Sequence, residues 1–287
     1  MTLTDQAPNT LLTIDQSGFV ESFDHHPYPV RHALAGHPLL SLEALAELSA
    51  RLPANHVERH RADQDLLTPD GGEDFDVPPA QIARELATGN AWMVLWYVEQ
   101  VPEYKALLDE CLDEVERVVL DRHGPMRQRN AFIFLSAPNA TTPVHVDPEQ
   151  NLLLQIQGTK EMNVGRFADP SIYHGELARV YDGGHRNLAQ MPELERCFRM
   201  EPGDGTYVYP FAPHWVKNGP GASVSLSITF RTASSKRAEQ VLQANAHLRK
   251  LHLEPKPFGV SPVRDRVKGA VMTGASRLRR GGRTRPT

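Results

Sequence analysis

Residues 141–162, "TTPVHVDPEQNLLLQIQGTKEM", set His145 and Asp147 two positions apart, follow them with an apolar run, and then place a single cation, Lys160. On an extended strand alternate side chains share a face, so this imidazole and this carboxylate point the same way. Together they offer one nitrogen and one oxygen donor. A third donor must come from another strand, and His214 is the best-placed candidate. In "EPGDGTYVYPFAPHWVKNG" a Pro-Gly-Asp-Gly turn launches a strand ending at Pro210, with the histidine just beyond it. Two histidines and one carboxylate on one side of a metal leave its other positions open, the donor set favoured by non-haem Fe(II) oxygenases. Zn(II) accepts the same donors, so the residues alone do not name the metal. Lys160 raises a separate question: a lysine beside a buried strand is costly unless an anion meets it, and a solvated turn lysine is the plain alternative.

The elements that must position these residues lie between 131 and 231, where short apolar stretches alternate with Gly/Pro turns: "AFIFLSA", "NLLLQIQ", "KEMNVGRF", "CFRME", "GTYVYP" and "SVSLSITF". That spacing predicts an antiparallel sandwich or barrel. Residues 167–195 carry Asp169-Pro170 and Gly183-Gly184 and are expected to form a long connection, of the kind that often serves as a lid. His174 and His185 on it are reserve ligands should His214 fall short. Trp215 is expected to pack beside the site.

Upstream, Ser41 is the expected N-cap of a helix through "LEALAELSARL" that Pro53 ends. "LLTPDGGEDFDVPP" reads as an exposed loop, "AQIARELATGN" as a helix stopped by Gly89-Asn90, and "WMVLWYV" as a buried strand. From Pro102 a second helix sets Tyr104, Leu108, Cys111, Leu112, Val115, Val118 and Val119 on one face. The expected organisation is a helical and irregular region over 1–121, a β core over 122–233, and a helical, basic tail over 234–287.

On these residues the chain resembles the JmjC or cupin-like Fe(II)/2-oxoglutarate-dependent dioxygenases, in the branch that contains the asparaginyl hydroxylase inhibiting hypoxia-inducible factor. The resemblance is carried by Thr142-Pro143-Val144-His145-Val146-Asp147, by Asn151 and Lys160 at the family's offsets, by "LLLQIQGTKE", and by "PGDGTYVYP" before His214. It spans roughly residues 130–231. It implies a mainly β fold with flanking helices, a double-stranded β-helix or jelly-roll barrel. It also implies His145, Asp147 and His214 as ligands of Fe(II), with 2-oxoglutarate as cosubstrate and O2 as oxidant. Lys160 would pair with the distal carboxylate of 2-oxoglutarate and Thr142 would donate its hydroxyl to it. Asn151 and Glu149 would touch cosubstrate or steady the metal-binding strand. Thr229 stands where the family hydroxylase has an asparagine, and Arg231 at the end of the last strand is an alternative carboxylate anchor. The implied activity is hydroxylation of a protein side chain or a small molecule, coupled to decarboxylation of 2-oxoglutarate to succinate. A Zn or Mn cupin isomerase or hydrolase, and a non-catalytic cupin-like ligand sensor, are the competing readings.

The totals fit a soluble globular protein: 287 residues, 40% hydrophobic and 23% charged, with 23 prolines that disfavour a helical bundle. No apolar run approaches the roughly 20 residues that span a bilayer. The first ten residues lack a secretion signal, and two distant cysteines make no disulfide framework, so a cytoplasmic location is expected. Net charge is −4 but uneven. Residues 236–287 hold 13 Lys/Arg against Glu239, Glu254 and Asp265, a net of +10, which leaves −14 for residues 1–235. The acidic body argues against nucleic-acid binding by the core. For the tail, "VRDRVKGAVMTGASRLRRGGRTRPT", with Val267, Val271 and Leu278 on one helical side, the fitting partners are a second subunit (a homodimer), an anionic membrane or nucleic acid, against a merely solvated end.

Overall fold

The structure is a computed structural model that describes residues 10–68 and 77–281, with side chains to 274. In chain order its elements are β1 (Leu12–Thr13), α1 (Gln16–Ser22), β2 (Tyr28–His32), α2 (Leu42–Arg51), β3 (Val57–Arg61), α3 (Pro79–Arg84), β4 (Ala91–Leu95), α4 (Pro102–His123), β5 (Arg127–Ser136), β6 (Thr141–His145), β7 (Gln150–Gln157) and β8 (Lys160–Arg166). There follow α5 (Pro170–Tyr181), β9 (Glu193–Met200), β10 (Asp204–Val208), β11 (His214–Asn218), β12 (Ser223–Arg231), α6 (Ala233–Lys250) and α7 (Pro262–Gly281).

The strands form two antiparallel sheets, a major one ordered β1-β2-β10-β7-β12-β5-β4-β3 and a minor one ordered β6-β11-β8-β9. They face each other as a jelly roll, the double-stranded β-helix that the resemblance implied and one form of the sandwich or barrel that the strand spacing predicted. Strand alternation decides which side chains line the space between them. On β12, Val224, Leu226, Ile228 and Phe230 point away from the minor sheet and join Leu152, Leu154, Ile133 and Leu135 in a core with the helical shell. That shell contributes Phe19 and Phe23, Leu45 and Leu48 of α2, and Leu108, Leu112, Val115 and Val119 of α4. The opposite parity of β12, namely Ser223, Ser225, Ser227 and Thr229, is also buried and faces inward. Gln155 ties the lower part of this polar row together, donating to Ser223 Oγ at 3.0 Å and accepting from Ser225 Oγ at 2.7 Å. The outer face of the minor sheet is covered by α5 and α6, where Val144, Val146, Trp215, Leu177, Ala238 and Leu242 cluster.

Several local expectations are met. Ser41 caps α2 through the Ala44 amide, α2 gives way at Leu52 just before Pro53, and α4 buries the expected face, with Val118 half-buried at its margin. The differences have physical reasons. The helix expected over 80–90 shortens to α3, and the expected strand over 92–98 ends at Leu95 because Tyr97 takes a left-handed conformation (φ 56°). Asp169-Pro170 is not a turn in the connection but the N-cap and first residue of α5, a common role for that pair. The region before 122 also supplies β1, β2 and β3 to the edges of the major sheet, β1 too short to show alternation and β2 and β3 with charges that hide it. Of the expected 66–79 loop, residues 69–76 lie outside the described residues, as does the chain start. Val263, Val267 and Val271 of α7 are exposed, and the side chain of Leu278 lies outside the described residues. Among the described residues no helix is long and apolar enough to cross a membrane.

The packing of α4 on the major sheet yields a stability prediction. Leu112 is fully buried there. Leu112→Ala should lower the free energy of unfolding by about 2–5 kcal/mol through lost burial plus a cavity. Urea titration followed by circular dichroism would measure it.

Candidate metal centre and ligand cavity

His145 ends β6 and His214 begins β11, and the register of these neighbouring strands sets the two residues directly opposite one another. Their rings lie 4.1 Å apart between centroids, and both are almost fully buried. Each Nδ1 sits 2.8 Å from a backbone carbonyl two residues back, Pro143 O for His145 and Ala212 O for His214. A ring nitrogen facing a carbonyl carries the proton, so both Nε2 atoms keep a lone pair. Asp147 follows one pleat after His145, with Oδ2 at 3.4 Å from His145 Nε2 and 3.6 Å from His214 Nε2. The donor atoms of the three residues all lie within 4.8 Å of one another, the cluster of metal-binding type found among the described residues. Burial, then the neighbouring His145, pull the His214 pKa down to about 3. Burial acts to raise the Asp147 carboxyl, but the Arg186 guanidinium and the two imidazoles outweigh it and hold it well below the usual range. Two imidazole Nε2 atoms and one carboxylate oxygen converging on one point are the donors a divalent cation takes, so the set fits Fe(II) or another such ion.

The trio opens into a cavity between the sheets. From the minor sheet it is lined by Thr142, Lys160, Met162 and Val216, and from the major sheet by Asn130, Phe132, Phe134, Asn151, Leu153, Ser227 and Thr229. Gly158 makes the turn that delivers Lys160: its φ is +71°, and a Cβ there would stand 2.3 Å from Ala222 O. Lys160 is 4% exposed and pairs with no carboxylate among the described residues. Burial alone pushes its pKa down to about 7. The Thr229 hydroxyl is likewise buried with no hydrogen-bond partner, and Ser227 Oγ donates to Asn151 Oδ1 at 2.8 Å, which leaves the Asn151 amide N–H groups to the cavity. An orphan ammonium and an orphan hydroxyl in one cavity are the polar complement of an anionic ligand.

Of the site residues expected from the sequence, His145, Asp147, His214, Lys160, Thr142, Asn151 and Thr229 all line this one cavity, as does Glu149. Arg231 does not. A register shift in β12 between Thr229 and Arg231 turns it aside, and it is held by Glu149 and Glu239 at 2.5 Å each. Trp215 packs on the outer face of β11, His185 accepts the Asn187 amide, and His174 lies beside α6. The sequence reading missed Arg186, which reaches Asp147 from the connection after α5, and the aromatic wall of Trp96 and Tyr97. "WMVLWYV" was legible as an apolar run, but not its last turn toward the cavity.

Residues 115–238, a stretch that takes in both sheets' central strands, match the model of the JmjC domain family. Comparison with curated proteins finds no match. Among solved structures, the chain is similar to YcfD of Escherichia coli, at 21% identity and a TM-score of 0.54 over 93% of this chain and 68% of that one. It is also similar to YcfD as a ribosomal oxygenase in complex with cobalt and 2-oxoglutarate (17% identity, TM-score 0.51, 92% and 67% covered) and with cobalt and succinic acid (19%, 0.52, 92% and 67%). At these identities the likeness establishes a shared fold. The asparaginyl-hydroxylase branch is a finer assignment than this match makes.

The buried ammonium predicts an unusual stability profile. In the folded protein Lys160 titrates near 7, whereas an unfolded lysine titrates near 10.5. The unfolded chain therefore binds the extra proton between those values, so the penalty is complete below about pH 7 and is relieved as pH rises toward about 10.5. Lys160→Met, which removes the charge and keeps the volume, should raise the ligand-free melting temperature below about pH 7 by about 4–8 °C, the shift about 2 kcal/mol gives at this size. The advantage should shrink as pH rises. Thermal unfolding across pH would check both.

Proposed function

We propose that the protein is an Fe(II)- and 2-oxoglutarate-dependent dioxygenase that hydroxylates a protein side chain or a small molecule. The observation that carries the reading is the unpaired, buried Lys160 sharing one cavity with the His145, Asp147 and His214 donors. A metal-only cupin, whether isomerase, hydrolase or sensor, has no need of such a cation. When bound, iron and 2-oxoglutarate supply the oxidising power: O2 is consumed, 2-oxoglutarate becomes succinate and CO2, and a substrate C–H becomes C–OH.

The chain's own residues do the rest. The two Nε2 atoms and Asp147 Oδ2 would hold the metal from one side and leave the other open. Lys160 would meet the distal carboxylate of 2-oxoglutarate, with the Thr142 and Thr229 hydroxyls and the Asn151 amide as neutral donors in the same cavity. Phe134, Leu153, Met162 and Val216 exclude water around the pair, which strengthens every charge interaction there. The open end, walled by Trp96, Tyr97 and Phe132, would admit substrate. The likeness to a ribosomal oxygenase makes ribosomal components the first macromolecules to assay, beside small molecules.

Two measurements test this. Purified protein given Fe(II), 2-oxoglutarate and O2 should form succinate, and His145→Ala should not; no succinate from the wild type with any substrate would overturn the reading. Under anaerobic conditions Lys160→Ala should weaken 2-oxoglutarate binding by about ten- to a hundredfold, since a charge-assisted hydrogen bond contributes roughly 1.5–3 kcal/mol. Because the free lysine titrates near 7, wild-type binding should also take up a proton and weaken as pH rises above that value. Affinity independent of pH up to about 9 would show that the ammonium keeps its proton there, and the Lys160→Ala titration alone then decides whether it is the anchor.

A further inference from the structure

We infer that Arg186 is a positioning residue of this centre: it holds Asp147 so that one carboxylate oxygen alone is presented to the metal, and an aromatic platform built on Glu58 holds the guanidinium in turn. The inference rests on the metal-centre reading above. Asp147 divides its two oxygens between two tasks. Oδ2 lies against the imidazoles at 3.4 and 3.6 Å, while Oδ1 accepts from Arg186 Nη1 at 2.8 Å. The last torsion of an aspartate is broad and nearly two-fold, so an unrestrained carboxylate would offer either oxygen or both. A fixed donor on Oδ1 removes that freedom.

The donor is itself fixed from two directions. Its backbone lies along β6, the strand that ends in His145: the Val146 amide donates to Arg186 O at 3.3 Å, the Leu188 amide donates to Val144 O at 2.8 Å, and Asn187 bridges to His145. From behind, Arg179 of α5 donates to the carbonyls of His185 and Asn187 and is paired with the buried Glu176. The Arg186 guanidinium then lies over Trp96, 5.7 Å from the ring centre, a cation–π distance. Trp96 is pinned by its indole N–H, which donates to Glu58 Oε2 at 2.7 Å. The other Glu58 oxygen meets His60 Nε2 at 2.5 Å, and His60 stacks on Trp92 with centroids 4.5 Å apart. Thus a chain of contacts runs from His60 through Glu58, Trp96 and Arg186 to the metal-binding carboxylate, and it passes through the cavity wall.

Charge and positioning make opposite predictions for this residue. A guanidinium near a divalent cation repels it, so on charge alone removing Arg186 should tighten metal binding. If Arg186 acts by orienting Asp147, removing it should loosen binding, as loss of an outer hydrogen-bond partner typically costs 10–100-fold in affinity. Full-length protein titrated anaerobically with Co(II), followed by its visible absorption, separates the two without any turnover. R186Q is expected to bind Co(II) about 10–100-fold more weakly than wild type, with an altered absorption envelope as the carboxylate changes its mode of ligation. R186K keeps the charge but lacks the planar fork, and is expected to fall between the two. R186Q binding as tightly as wild type or more so, with an unchanged spectrum, would overturn the inference. Should R186Q not fold, R186K decides alone, and wild-type affinity in it has the same meaning. A wild type that does not bind Co(II) at all would instead take down the metal-centre reading on which this one stands.

Discussion

Two imidazoles meet in this protein because two strands are hydrogen-bonded neighbours in one register. With His145 opposite His214 on β6 and β11, both side chains share an inward face, and the pleat that carries Asp147 adds the third donor. A slip of one residue in that ladder would send one ring to the outer face, where Trp215 now packs among Val144, Val146 and Phe211. The centre is therefore a property of backbone pairing first and of side chains second. The carbonyls of Pro143 and Ala212 complete the arrangement by fixing which nitrogen of each ring carries its proton.

Around that rung both sheets mix polar and apolar side chains. The minor sheet contributes Thr142, Lys160, Met162 and Val216 beside the two histidines, while the major sheet contributes the inward row of Ser225, Ser227 and Thr229, with Asn151 and Gln155 beside it, against Phe132, Phe134 and Leu153. Most of these groups satisfy one another. Lys160 and the Thr229 hydroxyl do not, and their unmet demand is what distinguishes a ligand cavity from a polar core.

The parts that sequence made legible are those encoded by local spacing. The HxD pair and Lys160 sit at either end of one strand, β7, and His214 follows a strand announced by its own turn. Alternation gave the core strands, and the 3.6-residue period gave α4. What escaped depends on contacts between distant segments. Arg186 lies in a stretch with no periodicity, and its role exists only because residues 185–188 dock along β6. The resemblance offers Arg231 as a carboxylate anchor against a plain edge salt bridge, and a shift in the ladder with two glutamates decides for the salt bridge. Asp169-Pro170 was visible as a pair and ambiguous as a signal, since both a turn and a helix start use it.

The oily side of the major sheet faces out, under α1, α2 and α4, rather than in toward the cavity. The barrel is in this sense worn inside out, and its helices act as clothing rather than ornament. A fragment trimmed to the strands around the centre would keep every proposed ligand and yet expose Leu152, Leu154, Leu226, Ile228 and Phe230 along one continuous sheet. Such a surface invites stacking against another like it. The smallest unit able to present the centre in dilute solution thus includes the helical layer far upstream in the chain, and the two must be inherited together.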